Sequence, residues 1–142
     1  MIFRRSARTR SADAVRRILY VEACEDGTVG GSHQALYDLV RMLDRRRYEP
    51  VVLFYQTNRW VEPIRALGVE VILFDEERRR EKAPHLARDL PGRVRSVIAA
   101  PFLRAALLRR LSIDLVHLNN SPAEGYEDWL PACRLVGVPC VA

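Results

Sequence analysis

Five short runs of apolar and β-branched residues recur along the chain, and segments with helical periodicity separate them. The runs cover residues 18–21, 51–55, 69–74, 113–118 and 138–142. They are too short for helices and lack the alternation of a half-exposed strand, so they predict strands buried on both faces. Such strands, alternating with helices, indicate a parallel sheet covered on two sides, because parallel neighbours need a long crossover.

Four amphipathic segments predict the helices between these strands. The first buries the stripe Ala35, Leu36, Leu39, Val40 and Leu43, with Ser32 as its cap. The second covers about residues 60–67, with Pro63 in its first turn and Gly68 at its end. The third covers about residues 91–111 and is kinked or split at Pro101; its buried positions include Leu103, Ala106, Leu107 and Leu111. The fourth covers about residues 129–136 and ends at Gly137.

Right-handed crossovers then predict a Rossmann-like, doubly wound α/β sheet of five strands in the order 3-2-1-4-5. The net charge of +5 lies in residues 1–17, which hold six arginines and one aspartate. We therefore expect a basic, disordered tail over 1–17, one domain over 18–142 and no nucleic-acid partner. Within the domain, residues 78–110 hold ten basic residues against two acidic ones.

The chain has no apolar run long enough to span a membrane, and no signal-peptide core follows its basic start. The expected location is therefore the cytoplasm, although transit peptides share an arginine- and serine-rich start. Cys24, Cys133 and Cys140 form no C-x-x-C pair. They predict reduced, mostly buried thiols, and we expect no metal site.

A ligand site is expected where the winding direction of the sheet reverses, outside the carboxyl ends of strands one and four. The loop after strand one ends in Gly30 and Gly31 at the start of a helix, where free N–H groups favour a phosphate. The spacing matches neither G-x-G-x-x-G nor a P-loop, and a plain turn is the alternative interpretation of the pair. The loop after strand four, residues 119–125, would form the opposite wall.

The succession of these segments resembles the N-terminal domain of family 4-like GT-B glycosyltransferases. The segments that carry the resemblance are Ile-Leu-Tyr-Val at 18–21, Gly-Gly-Ser at 30–32, Arg-Tyr-Glu-Pro-Val-Val at 47–52, Ala-Leu-Gly-Val-Glu-Val at 66–71 and Ile-Asp-Leu-Val-His-Leu-Asn at 113–119. They cover about residues 18–142 in the right order. In that family the N-terminal domain binds mainly the acceptor, and a second domain binds the nucleotide-sugar.

By this resemblance the residues expected near the donor phosphate are Gly30, Gly31 and Ser32. The residues expected at the acceptor are His33, Asn119, Asn120 and Ser121. Amide and hydroxyl groups suit sugar hydroxyls because they donate and accept, but the same residues also cap turns. His117 matches a histidine common in the family, and its apolar surroundings favour a core role. A solvent-facing position is the alternative for His33, and the catalytic residue stays unassigned.

The resemblance further implies a retaining transferase that needs no cofactor beyond its nucleotide-sugar substrate and acts on a sugar or a lipid-linked acceptor. Because the sequence stops at Ala142, we expect a missing C-terminal donor domain and no activity of this chain alone. Residues 93–110, including Arg104, Arg109 and Arg110 beside Phe102, predict peripheral contact with the inner face of the membrane; a solvated arginine face is the alternative. The competing function is a non-catalytic sugar-, nucleotide- or partner-binding module.

Overall fold

A computed structural model describes residues 14–23, 30–74, 92–119 and 128–142, with the backbone alone over 92–99. Its strands are β1 (Arg16–Glu22), β2 (Tyr48–Phe54), β3 (Glu70–Leu73), β4 (Leu115–Leu118) and β5 (Cys140–Val141). All neighbouring pairs are parallel, and the order is β3-β2-β1-β4-β5. The predicted doubly wound sheet is confirmed.

The helices are α1 (Gly31–Met42), α2 (Val61–Ala66), α3 (Gly92–Arg110) and α4 (Trp129–Val136). They divide the core between the two faces of the sheet. Buried residues of α1 and α2 pack with Ile18 and Tyr20 of β1, whereas those of α3 and α4 pack with Leu19 and Val21. Since successive side chains of a strand point to opposite faces, β1 is covered on both sides, as its continuous apolar run predicts.

The amino end of the sheet is closed around Arg17. Its guanidinium lies 3.1 Å from a carboxylate oxygen of Glu49 and 2.8 Å from one of Glu70. It also donates to the Leu111 carbonyl at 2.7 Å. These contacts join β1 to β2, β3 and the end of α3. Arg16 and Arg17 belong to β1 and not to the predicted tail.

The helix starts and stops follow local chemistry with one correction. Gly68 and Gly137 have φ of 73° just after α2 and α4, a left-handed conformation that glycine adopts freely. Ser32 is not the cap of α1, because the helix begins one residue before it and Gly30 occupies the cap position. Pro101 lies inside α3 without splitting it.

Three positions of the predicted helix stripes were wrong, because Ala35 and Leu39 of α1 and Ala106 of α3 are exposed. Arg104, which no stripe included, is buried. The buried face of α3 therefore includes Arg104, Ala105, Leu107 and Leu108. A charged residue occupies this face because aromatic rings and a carboxylate surround it, which apolar periodicity does not register.

Candidate functional site

The carboxyl ends of β1 and β4 lie side by side at the point where the winding direction of the sheet reverses. Val21 pairs with Leu118 in the parallel register, and the Asn119 N–H donates to the Val21 carbonyl at 2.9 Å. Glu22 therefore ends β1 next to Asn119, which follows β4. Successive side chains of a strand alternate between the two faces of the sheet. Glu22 is two residues after Tyr20 and Asn119 is two residues after His117, so both positions fall on the face that α1 covers.

Asn119 joins three parts of this edge. Its side-chain amide nitrogen donates to the Glu22 carboxylate at 2.6 Å and to the Ser32 carbonyl at 3.1 Å. Glu22 is 1% exposed, so a carboxylate with little access to water lies at the centre of the edge. Asn119, directly after β4, thus meets the start of α1, as the predicted strand order requires.

The start of α1 has no side-chain cap among the described residues. Gly30 there is extended, with φ of −102° and ψ of −167°. No acidic residue lies in the first turn. A methyl group built at Gly30 or Gly31 would meet nothing within 4 Å, so neither backbone conformation nor packing against the described residues requires these glycines. The first N–H groups of a helix have no partner within the helix, and groups of this kind favour anions in proteins.

His33 is buried and does not take the solvent-facing position that the sequence left open. Its ring is 2% exposed and lies parallel to the Phe54 ring, with centroids 5.8 Å apart. Its Nδ1 lies 3.4 Å from the Ser32 hydroxyl. The first turn of α1 is therefore seated on the end of β2. The signal for this was the alignment of His33 with Leu36 and Val40 on one helical stripe.

His117 lies inside β4 on the same face, as a partly buried core residue. Its ring makes an edge contact with Tyr20, with centroids 5.3 Å apart. The Nδ1 atom is buried and has no hydrogen-bond partner among the described residues. Burial lowers the pKa of His117 below its ordinary value, so the neutral ring is favoured.

The other sheet face carries a buried polar cluster that the sequence analysis missed. The Arg104 guanidinium lies 2.9 Å from the Asp128 carboxylate and 3.7 Å from the centre of the Phe74 ring. The Trp129 indole donates to the Tyr55 hydroxyl at 2.9 Å. Arg104 is 5% exposed, so its predicted part in a membrane contact is wrong.

The remaining predicted residues include two site residues and the three cysteines. Asn120, Ser121 and Cys24 lie outside the described residues. Cys133 and Cys140 are free thiols, and the first of them is buried. In the described ranges, no three histidine, cysteine, aspartate or glutamate side chains could together hold a metal ion. None of the helices described is long and apolar enough to cross a membrane.

Comparison with known proteins gives a family and a fold. The sequence model of the glycosyl transferase 4-like domain matches residues 30–142. A glycosyltransferase from Rickettsia africae ESF-5 has a similar structure, with a TM-score of 0.61 at 14% sequence identity. The match covers 89% of this chain and 28% of that one. No curated protein matches the chain significantly.

Proposed function

Because the chain belongs to the glycosyl transferase 4-like family, we propose that it binds the acceptor during sugar transfer from a nucleotide-sugar. The observation that carries the proposal is the start of α1 beside the end of β4. First-turn N–H groups there suit the donor diphosphate, and the Asn119 amide after β4 suits acceptor hydroxyls. Asn120 and Ser121, the next residues in the sequence, are proposed to bind the acceptor as well. The nucleotide-sugar is itself a substrate, so the proposal includes no separate cofactor.

Anion binding at α1 is testable with inorganic pyrophosphate as the probe. The Gly31→Val variant should raise its Kd about tenfold or more, because the added side chain occupies the space through which the anion approaches. The measurement is a titration followed by the amide NMR shifts of Gly30 and residue 31. Since nothing lies within 4 Å of the added Cβ atom, the free energy of unfolding should change little.

Ala35→Val is the matched control, since it adds the same branched side chain at an exposed position of α1 one turn further on. It should bind pyrophosphate like the wild type. Equal pyrophosphate affinity of the wild type and Gly31→Val would show that the two glycines form only a turn and do not bind the anion. If pyrophosphate causes no NMR shift at these amides of the wild-type protein, the proposed anion binding at α1 is wrong.

We propose that the complete transfer reaction requires a second domain in addition to these 142 residues. The chain spans 28% of the glycosyltransferase from Rickettsia africae that it resembles in structure. Transfer requires donor and acceptor to be held together while the leaving diphosphate is stabilised. We expect a GT-B arrangement in which a second domain grips the nucleotide, with transfer that retains the anomeric configuration. The 142 residues alone should show no turnover with sugar nucleotides, and adding a separately expressed donor domain should restore it; turnover without that domain would contradict the proposal.

The exposed face of α3 supports a lipid-linked acceptor, which would be bound at an anionic membrane. Phe102 is 61% exposed, and Arg109, seven residues later, lies on the same helical face. An exposed ring beside an arginine suits a bilayer interface. The Phe102→Ser and Arg109→Ser variants should each lose co-sedimentation with anionic vesicles, while Leu130→Ser, at an exposed position of α4, should keep it. Equal sedimentation with neutral vesicles would exclude the electrostatic part.

A further inference from the structure

We propose that Asn119 is a positioning residue that sets the direction of the first turn of α1 by holding it against the end of β1. This role rests on the proposed function, because the object being aimed is the anion-binding helix start. The sequence analysis assigned Asn119 to the acceptor. The structure gives its side chain two partners within the protein.

The amide orientation of Asn119 is fixed by chemistry. The Glu22 carboxylate and the Ser32 carbonyl both accept hydrogen bonds, so the nitrogen of the amide must face them. An amide nitrogen carries two hydrogens, and both are engaged by these two contacts. Asn119 therefore has no side-chain hydrogen left to donate to an acceptor hydroxyl, and only its Oδ1 atom can contribute to binding by accepting.

The contacts of Asn119 hold the first turn of α1 through a carbonyl group, not through the N–H groups that an N-cap would satisfy. No cap residue of the helix itself fixes the first turn, since Gly30 has no side chain. Asn119 reaches the turn from another strand, through the Ser32 carbonyl, while its own backbone is held to β1 by the 2.9 Å bond to Val21. These contacts therefore fix the direction of the first-turn N–H groups relative to the sheet.

The buried carboxylate strengthens this coupling. A hydrogen bond to an ionised group is stronger than a neutral one, and the 2.6 Å distance is short. Glu22 is nearly inaccessible to water, so loss of the Asn119 donor would remove a hydrogen bond from a desolvated carboxylate. The pair therefore resists displacement of the loop after β4 relative to α1.

The decisive variant is Asn119→Asp, which changes no shape but places a second carboxylate against Glu22. Pyrophosphate binding at pH 7.5 should weaken about tenfold or more relative to the wild type. At pH 5 partial protonation of the introduced carboxyl group relieves its repulsion with Glu22, so the loss should be smaller. His33 on α1 and His117 on β4 also lie on this face, and the measure is therefore the ratio of variant to wild-type affinity at each pH.

A second substitution tests the polarity of the contact. The Glu22→Gln variant keeps a neutral acceptor for the Asn119 amide, so its pyrophosphate affinity should fall by less than that of Asn119→Asp. In the double variant Glu22→Gln with Asn119→Asp, donor and acceptor exchange places, and binding should recover partly, because the Ser32 carbonyl still lacks its donor. A residue with a merely structural role would not give this pattern of pH dependence and recovery.

The outcomes separate this inference from the proposed function. Absence of pyrophosphate binding to the wild type overturns anion binding at α1. The amide NMR shifts of Gly30 and Gly31 in the ligand-free variants still decide the positioning role in that case. If the folded Asn119→Asp variant has the amide NMR shifts and the pyrophosphate affinity of the wild type, the positioning role of Asn119 is wrong. If that variant does not fold, Asn119→Ser takes its place, with an expected tenfold loss that is independent of pH and the same overturning result.

Discussion

The two faces of the sheet use buried polar groups in opposite ways. On the α3 and α4 face, Arg104 is enclosed by Asp128 and the rings of Phe74 and Trp129. On the α1 and α2 face, the contact between Glu22 and Asn119 borders a helix start that has no side-chain cap. The first arrangement pairs a buried cation with a carboxylate and aromatic rings, whereas the second lies beside the helix start at which we propose that an anion binds. Burial of charge alone therefore does not distinguish a structural cluster from a proposed site.

The sharpest test of this comparison is removal of the Arg104 side chain. Arg104→Ala should lower the free energy of unfolding by about 3 kcal/mol, because it strands the Asp128 carboxylate and opens a gap beside two aromatic rings. Urea titration measures the loss. Pyrophosphate binding of the folded variant should stay at the wild-type value, and Arg134→Ala, at an exposed position of α4, should cost below about 0.5 kcal/mol. A large loss of affinity in folded Arg104→Ala would break the distinction between the faces.

Alkaline pH should destabilise the α3 and α4 face through Cys133. Burial, with a smaller contribution from Cys140, raises the pKa of the Cys133 thiol to about 12. The unfolded chain releases this proton near pH 9, so between those values the folded state binds more protons and stability falls as pH rises. The loss should reach about 2 kcal/mol between pH 9 and 11.

Cys133→Ala isolates this contribution, because burial also raises the pKa values of Tyr20 and Tyr55 and gives them a slope of the same sign. The variant should be less stable at pH 7 and lose less stability between pH 9 and 11 than the wild type. Urea titrations at each pH provide the comparison. Identical alkaline slopes would show that the thiol does not contribute.

Acid should act on the opposite face, through His117, with the smallest effect of the three because this side chain is only partly buried. Its pKa is lowered by burial, so below about pH 6.5 the unfolded chain binds a proton that the folded chain resists. Stability should therefore fall as pH drops from 7 to 5. His117→Phe keeps a ring against Tyr20 and should flatten this limb in thermal unfolding scans; an unchanged slope would contradict it.

The sequence predicted the fold because each of its signals was local and repeated. Continuous apolar runs identify the strands, and the handedness of crossovers orders them without any knowledge of contacts. The burial of Arg104 was missed because its partners Asp128 and Phe74 come from other elements. The contact between Glu22 and Asn119 was also missed, although both residues directly end neighbouring strands, a position that could have suggested it. His33 was left open because one helical turn does not fix which neighbour covers it.

The residues that meet at the site are far apart along the chain, and this has a consequence for folding. Glu22 and Asn119 are 97 positions apart, whereas β1 and β2 are joined through α1 alone. Closing a longer loop costs more chain entropy, so pairing of β1 with β2 can precede the docking of β4. The contact between Glu22 and Asn119 then forms after the pairing of β1 with β2, and in a nascent chain it cannot form until β4 has left the ribosome.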